Sequence, residues 1–130
     1  MPEQHNPVYT QTHNINGPRL TFSLNAEGHQ LLDSLGQHGR KAVTLAKQPD
    51  LSIVLMAIRA GDRLAEHNAP GTVTIHVLQG HAKIHLPDEE IDAREGFLVQ
   101  LADGLRHDVE AATDSLVLIT VASADHPAAS

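Results

Sequence analysis

Hydrophobic and polar residues alternate along most of the chain from residue 41 onward. In residues 72–78, Val73, Ile75 and Val77 alternate with the polar Thr74 and His76, which is the period-two pattern of a strand with one buried face. Similar patterns, and short apolar runs bounded by turn residues, predict strands at residues 41–47, 51–59, 72–78, 82–86, 97–101, 106–110 and 115–122. Short strands separated by turns favour an all-β sandwich or barrel.

The first 40 residues have a different pattern. Residues 1–17 are polar and contain two prolines, so we expect an extended arm, and residues 19–24 predict a short strand at a sheet edge. Asn25 is the expected N-cap of a short helix over residues 26–35, ending at Gly36 and packed over one end of the barrel. The predicted organisation is an arm and helix at 1–40, a barrel at 41–122 and a flexible tail at 123–130.

Composition limits the classes of partner. The formal charge of −7 over 130 residues argues against binding to nucleic acid, because basic side chains supply most affinity for phosphates. The chain has no cysteine, which excludes disulfides and thiol chemistry. The N-terminus does not resemble a signal peptide and no apolar run is long enough to span a membrane, so we expect a soluble cytoplasmic protein without a membrane partner.

Strand parity separates the histidines by the face that each is expected to occupy. His107 shares parity with the apolar positions 105, 109 and 111, whereas its charged neighbours have the opposite parity. This pattern predicts that the His107 side chain is buried. His67 shares parity with Ala65 and Ala69, which favours the same orientation. Three other histidines are expected to face away from the site: His76, His81 and His85.

Two stretches carry histidine and glycine at the spacing of a known family. The first resembles the cupin pattern G-x5-H-x-H-x3-E-x6-G, with Gly61, His67 and Gly80 in place but Ala69 and Val73 at the second His and the Glu. The second resembles G-x5-P-x-G-x2-H-x3-N. Gly96, Gly104 and His107 match this pattern, while Ala102 replaces the Pro and Ala111 replaces the Asn. The chain therefore resembles a small single-domain cupin of the RmlC-like jelly-roll family with a degenerate first metal motif.

This resemblance implies an all-β, double-stranded β-helix (jelly-roll) barrel with a short N-terminal helix, and a homodimer. It also implies that His67 and His107 meet inside one end of the barrel, as two of the four residues that bind metal in the family. The first hypothesis is a protein that binds a small molecule in the barrel pocket. His67 and His107 would hold a carboxylate or carbonyl group of the ligand, beside an apolar lining that includes Ala69, Val73 and Met56.

Two alternatives remain open from the sequence. The first is a metal-dependent cupin enzyme, an oxygenase or isomerase, in which His67 and His107 bind one divalent transition metal (Fe, Ni, Zn or Mn). Zinc and iron sites need at least a third protein ligand, for which the sequence offers only His29 or His38. The second is a structural or regulatory protein whose pocket has no ligand.

Overall fold

The computed structural model describes residues 9–10, 15–36, 39–65 and 71–123. Its strands form two sheets, with the order β1-β2-β3-β10-β5-β8 in the larger and β4-β9-β6-β7 in the smaller. All pairs are antiparallel except β1 with β2. The elements are β1 (Tyr9–Thr10), α1 (Leu24–Asp33), β2 (Arg40–Gln48), β3 (Leu51–Ile58), β4 (Arg63–Ala65), β5 (Thr72–Gln79), β6 (His81–His85), β7 (Glu90–Arg94), β8 (Leu98–Leu101), β9 (Asp108–Ala111) and β10 (Ser115–Ala122).

The main core lies between the two sheets and consists of aliphatic side chains from both. On β5 the side chains of Val73, Ile75 and Val77 are buried and those between them are partly exposed, as the alternation predicts. Ile84 of β6 and Val109 of β9 contribute the opposite wall, and both are fully buried. The chain thus has the predicted all-β jelly-roll barrel, with one short helix.

One end of this barrel is formed by the last residues of β4 and β6 and the first residues of β5 and β9. Ala65, the last residue of β4, pairs with Asp108 at the start of β9. His85, the last residue of β6, pairs with the same Asp108 from the other side. We call this end the mouth, because His107 immediately precedes β9 there.

The helix differs from its sequence-based prediction in both start and position. Ser23, not Asn25, is the N-cap, because its Oγ accepts a hydrogen bond from the backbone N–H of Ala26 at 3.2 Å. The helix also packs on the outer face of the larger sheet, not over one end of the barrel. Leu31 and Leu35 join a second apolar cluster with side chains of β2, β3 and β10: Val43, Leu45, Leu55, Ala57 and Leu116.

The apolar run at residues 51–59 explains this position. Strand β3 contributes Met56 and Ile58 to the main core and Leu55 and Ala57 to the outer cluster. A strand buried on both faces reads as a continuous apolar run, so its outer face requires a cover, which the helix provides. Gly28 permits the close approach, since a Cβ at this position would lie 2.4 Å from Cδ2 of Leu116.

The predicted strand at residues 19–24 is wrong. These residues are extended without ladder pairing until Leu24 begins the helix, and the Phe22 side chain packs against the outer cluster instead. The edge of the larger sheet is covered by a different part of the arm. Tyr9–Thr10 pairs with β2, and farther along β2 the carbonyl oxygen of Ile15 accepts a hydrogen bond from the Lys47 N–H at 2.6 Å.

No helix in the described part of the chain is long and apolar enough to cross a membrane.

Candidate functional site

His107 is the buried histidine at the mouth, as its parity predicts. Its residue surface is 6% exposed, and its Nδ1 lies 3.1 Å from the carbonyl oxygen of Leu105. A carbonyl oxygen only accepts, so Nδ1 carries the hydrogen of this bond. The neutral ring then has its free lone pair on Nε2, which makes Nε2 the ring nitrogen available to a ligand.

A small apolar cavity lies beside His107 inside the barrel. Its volume is about 30 Å³, and its lining is aliphatic apart from the histidine: Leu64, Val73, Ile75, His107, Val109, Ile119 and Val121. This volume corresponds to roughly one water molecule or one methyl group. The cavity is therefore large enough for one methyl-sized group and too small for a larger apolar body.

A larger and more open cavity lies on the other side of His107, at the mouth. Its volume is about 360 Å³, and it is lined by the end of β6, the turn after it and the residues that enter β9: His85, Leu86, Pro87, Arg106, His107 and Asp108. His107 borders both cavities. The histidine thus lies between an open, charged outer space and an apolar inner one.

Charged groups of the outer cavity differ in how fully they are paired. Arg106 is exposed and makes no hydrogen bond or ion pair with any residue that the structure describes. Asp108 receives a hydrogen bond at 3.3 Å from Arg63 on its Oδ2, whereas its Oδ1 is buried without a partner. The cavity therefore contains a free guanidinium and a half-satisfied carboxylate, two residues apart.

The outer face of the smaller sheet carries a ladder of paired charges that reaches this cavity. His85 lies 2.8 Å from Glu110 through Nε2 and 3.5 Å from Glu90 through Nδ1, and Arg63 contacts Glu110 at 3.3 Å. The hydrogen bond from the His85 ring holds the pKa of Glu110 below its ordinary value, with Arg63 acting in the same direction. At the far end of β6, a hydrogen bond with His81 likewise lowers the pKa of Asp92.

The other residues predicted for the site lie in three different situations. Val73 lines the inner cavity. Met56 is buried in the main core, in the row that runs through Ala42 and Val117, and it lines neither cavity described above. His67 and Ala69 lie outside the described residues, so their predicted places stay predictions.

The histidines that offered a third metal ligand do not join this site in the part of the chain that is described. His29 is exposed on the helix, which lies on the outer face of the larger sheet, and His38 is outside the described residues. No three His, Cys, Asp or Glu side chains come close enough together to bind a metal ion across residues 15–36, 39–65 and 71–123. Of the two ligands that the resemblance implies, the described residues include only His107.

Sequence reasoning missed Arg106, Asp108 and His85 as parts of the site. Parity places the first two on the opposite face from His107, which is correct within a strand. The cavity includes them because it opens at the strand ends, where inward and outward side chains border the same space. The sequence signal for Arg106 and Asp108 was a charged residue on each side of the histidine that was predicted to be buried.

Comparisons with known proteins agree with this architecture. No family model matches the chain, and no curated protein sequence matches it. A conserved protein of unknown function from Streptococcus pyogenes superposes with a TM-score of 0.70 at 22% identity, covering 90% of this chain and 97% of that protein. A cupin superfamily protein from Desulfitobacterium hafniense gives 0.65 at 19% identity, with 85% and 96% covered.

A third similar structure is a mutant of salicylate 1,2-dioxygenase from Pseudoaminobacter salicylatoxidans, with a TM-score of 0.68 at 15% identity. The match covers 78% of this chain but 34% of the dioxygenase, so it spans about a third of that protein. Identities this low show a shared fold and leave the reaction open. Together these structures confirm the predicted resemblance, and the chain forms a small cupin-like domain with the jelly-roll fold.

Proposed function

We propose that this protein binds a small molecule at the mouth of its barrel, with His107 as the polar anchor. The observation that carries the proposal is that one buried histidine borders both the inner apolar cavity and the outer cavity of about 360 Å³. Ligand pockets typically have volumes of about 300–1,000 Å³ and a few placed polar groups. The outer cavity has this size, and its lining is more polar than is typical, with two apolar residues among six.

The two cavities assign different parts of the ligand to different places. The body of the ligand lies in the outer cavity against Leu86 and Pro87, and a group of about methyl size enters the inner cavity beside Val73. Because Nδ1 of His107 donates to the Leu105 carbonyl, Nε2 is the ring nitrogen that is left for the ligand. In a neutral ring Nε2 accepts a hydrogen bond from a hydroxyl or amine, and in a protonated ring it donates one to a carboxylate or carbonyl.

A calorimetric titration tests the proposal. The panel consists of small carboxylic acids, keto acids, hydroxy acids and amino acids, and the variants are His107→Ala and His29→Ala. The second is the matched control, since His29 is an exposed histidine on the helix. We expect at least one compound to bind wild type and the His29 variant equally and the His107 variant at least about tenfold more weakly, which corresponds to about 1.4 kcal/mol. Equal binding by both variants would contradict the proposal.

A metal-dependent oxygenase or isomerase using His67 and His107 is the second candidate. One observation favours it: histidines that bind a metal usually donate their other ring N–H to a carboxylate or carbonyl, as Nδ1 of His107 does. The similar salicylate 1,2-dioxygenase adds to this candidate. Against it, the described residues supply one ligand where at least three are usual, and Val73 occupies the position of the Glu.

Elemental analysis of protein without a His-tag distinguishes the two candidates. About one equivalent of Fe, Ni, Zn or Mn per chain, lost in both His67→Ala and His107→Ala, would favour the enzyme. Protein that stays metal-free after incubation with these ions would favour the first candidate, the binding of a small molecule.

The homodimer implied by the resemblance stays a prediction. Sedimentation at micromolar concentration is expected to give the mass of two chains, and a mass of one chain would contradict it.

A further inference from the structure

We infer that the outer cavity selects a ligand carrying both an amine and a carboxylate, as α-amino acids do. This inference rests on the proposed function and adds the chemical class of the ligand. Its evidence is the number of partners that each of two charged side chains has, Arg106 and Asp108, which lie on either side of His107.

Arg106 provides the site for the carboxylate. Its guanidinium makes no ion pair within the described part of the chain, and neither does Arg40 at the start of β2. Three other arginines are paired: Arg59 with Asp114, Arg63 with Asp108 and Glu110, and Arg94 with Asp92. A guanidinium offers paired N–H donors that match the two oxygens of a carboxylate. Arg106 therefore retains its full capacity to bind an anion at the cavity wall.

Asp108 provides the site for the amine. Its carboxylate belongs to a group in which three acidic side chains, Asp108, Glu110 and Glu90, face two permanent cations, Arg63 and Lys83. These ion pairs leave one negative charge without a permanent cation, and Arg106 at the same cavity is not paired with it. An ammonium group at the cavity wall supplies the missing positive charge.

The carboxylate of Asp108 is only partly satisfied within the described part of the chain. Among the described side chains, buried polar atoms without a hydrogen bond are rare, and Oδ1 of Asp108 is one of two. Because Oδ1 is buried, a bound ammonium contacts Oδ2, which accepts one hydrogen bond from Arg63 at 3.3 Å and keeps a second lone pair.

The spacing of the charged residues along the chain suits one small zwitterion. Two residues of extended chain span at most about 7 Å between Cα atoms, and the Arg106 side chain is long enough to reach back towards Asp108. His107 lies between these two residues in sequence, and the lone pair on its Nε2 gives the amine a second acceptor. Leu86 and Pro87 offer an apolar wall for the side chain of the ligand.

Matched ligands test the inference. The probes are leucine, 4-methylpentanoate and 3-methylbutylamine, which share one alkyl body and carry both charges, the anion alone or the cation alone. A second set of smaller size is alanine, propionate and ethylamine. Titrations followed by backbone amide chemical shifts give the affinity and the place of binding together. We expect at least one amino acid to bind at residues 85–87 and 105–109 about tenfold or more tighter than either of its single-charge analogues.

Two substitutions separate the contributions of the charges. Asp108→Asn is expected to lower the affinity for the amino acid to that for its carboxylic-acid analogue and to leave the affinity for the acid unchanged. Arg106→Gln is expected to lower the affinity for the amino acid to that for its amine analogue and to leave the affinity for the amine unchanged. The control variants Asp33→Asn and Arg19→Gln remove exposed charges that do not line the cavity, and they are expected to bind like wild type.

The outcomes distinguish this inference from the proposed function. An acid that binds at the mouth as tightly as its amino acid, and still depends on His107, would overturn the amino-acid class and keep the binding role. Failure of all six probes to bind at millimolar concentration would also overturn the class, and the role of His107 would then be decided by the wider calorimetric panel.

Discussion

Nδ1 of His107 lies 3.1 Å from the carbonyl oxygen of Leu105, two residues earlier in the chain. This local hydrogen bond fixes the tautomer of a ring that is 6% exposed and orients it without help from a distant residue. Because the bond is made inside one short segment before β9, it survives changes elsewhere in the barrel. The site thus contains a histidine whose Nε2 makes no hydrogen bond to any described residue of either sheet.

Replacing His107 by leucine separates a ligand-binding role from a structural one. The new side chain enters a cavity with aliphatic walls, and the change gives up one hydrogen bond worth about 0.5–1.5 kcal/mol. We expect the free energy of unfolding of His107→Leu to lie within about 1 kcal/mol of wild type, since the gain in apolar burial offsets the lost bond. Ligand binding should be abolished. Urea denaturation measures the first quantity, and a loss of several kcal/mol would indicate a structural histidine.

Gly80 and Gly96 offer a matched pair for separating the effect of a positive φ from that of a close backbone approach. Both have φ of +92°, but a Cβ at Gly80 would lie 2.4 Å from the carbonyl oxygen of Asp114, whereas nothing lies within 4 Å of one at Gly96. Gly96→Ala should cost only the backbone strain, about 1–2 kcal/mol. Gly80→Ala should cost at least about 1 kcal/mol more, because the strands must separate. Equal unfolding midpoints in urea would show that the close approach at Gly80 is not needed.

Acid should destabilise the smaller sheet through its histidine–carboxylate pairs. The hydrogen bond from His85 lowers the pKa of Glu110 in the folded protein. A lowered folded-state pKa gives stability that is present above the ordinary glutamate range, about pH 4, and is lost as the pH falls through the lower folded value. Urea unfolding across this range should show a smaller acid-induced loss in His85→Gln than in wild type. Parallel curves for the two proteins would contradict this origin.

Ser115 illustrates a polar residue that the barrel needs for structure. It is fully buried, and its Oγ accepts a hydrogen bond from the His81 N–H at 3.1 Å and donates to the Thr113 carbonyl at 2.8 Å. Ser115→Ala leaves the His81 N–H without this acceptor, so we expect a loss of about 1–3 kcal/mol in the free energy of unfolding. A variant with wild-type stability in thermal unfolding would mean that water replaces the hydroxyl.

The sequence predicted the barrel well where one face of a strand is buried. Residues 115–122 were predicted with the observed bounds, and β5 differs from its prediction by one residue. Between residues 41 and 122, two strands were missed. β4 has three residues and too little pattern to detect, and β7 begins at Glu90, in a stretch where no strand was predicted. Its inward residues are only two, Ile91 and the small Ala93, so the alternation with charged neighbours carried little hydrophobic signal.

The site was predictable only in part. The burial of His107 follows from parity, because the residues that share its face are apolar. The outer cavity does not follow, since it depends on which strand ends meet at the mouth, and Asp108 touches partners from both β4 and β6. The tautomer of His107 also depends on a backbone carbonyl, which no side-chain pattern reports.

The most direct test of the account is the state of the His107 ring in solution. Two-bond proton–nitrogen correlation spectra of histidine-labelled protein, assigned with His107→Gln, report the tautomer and any contact at Nε2. The account predicts an Nδ1–H tautomer in the free protein and a shift of the Nε2 resonance when the tightest compound of the calorimetric panel is added. An Nε2–H tautomer in the free protein, or His107 resonances that do not move at saturation, would contradict it.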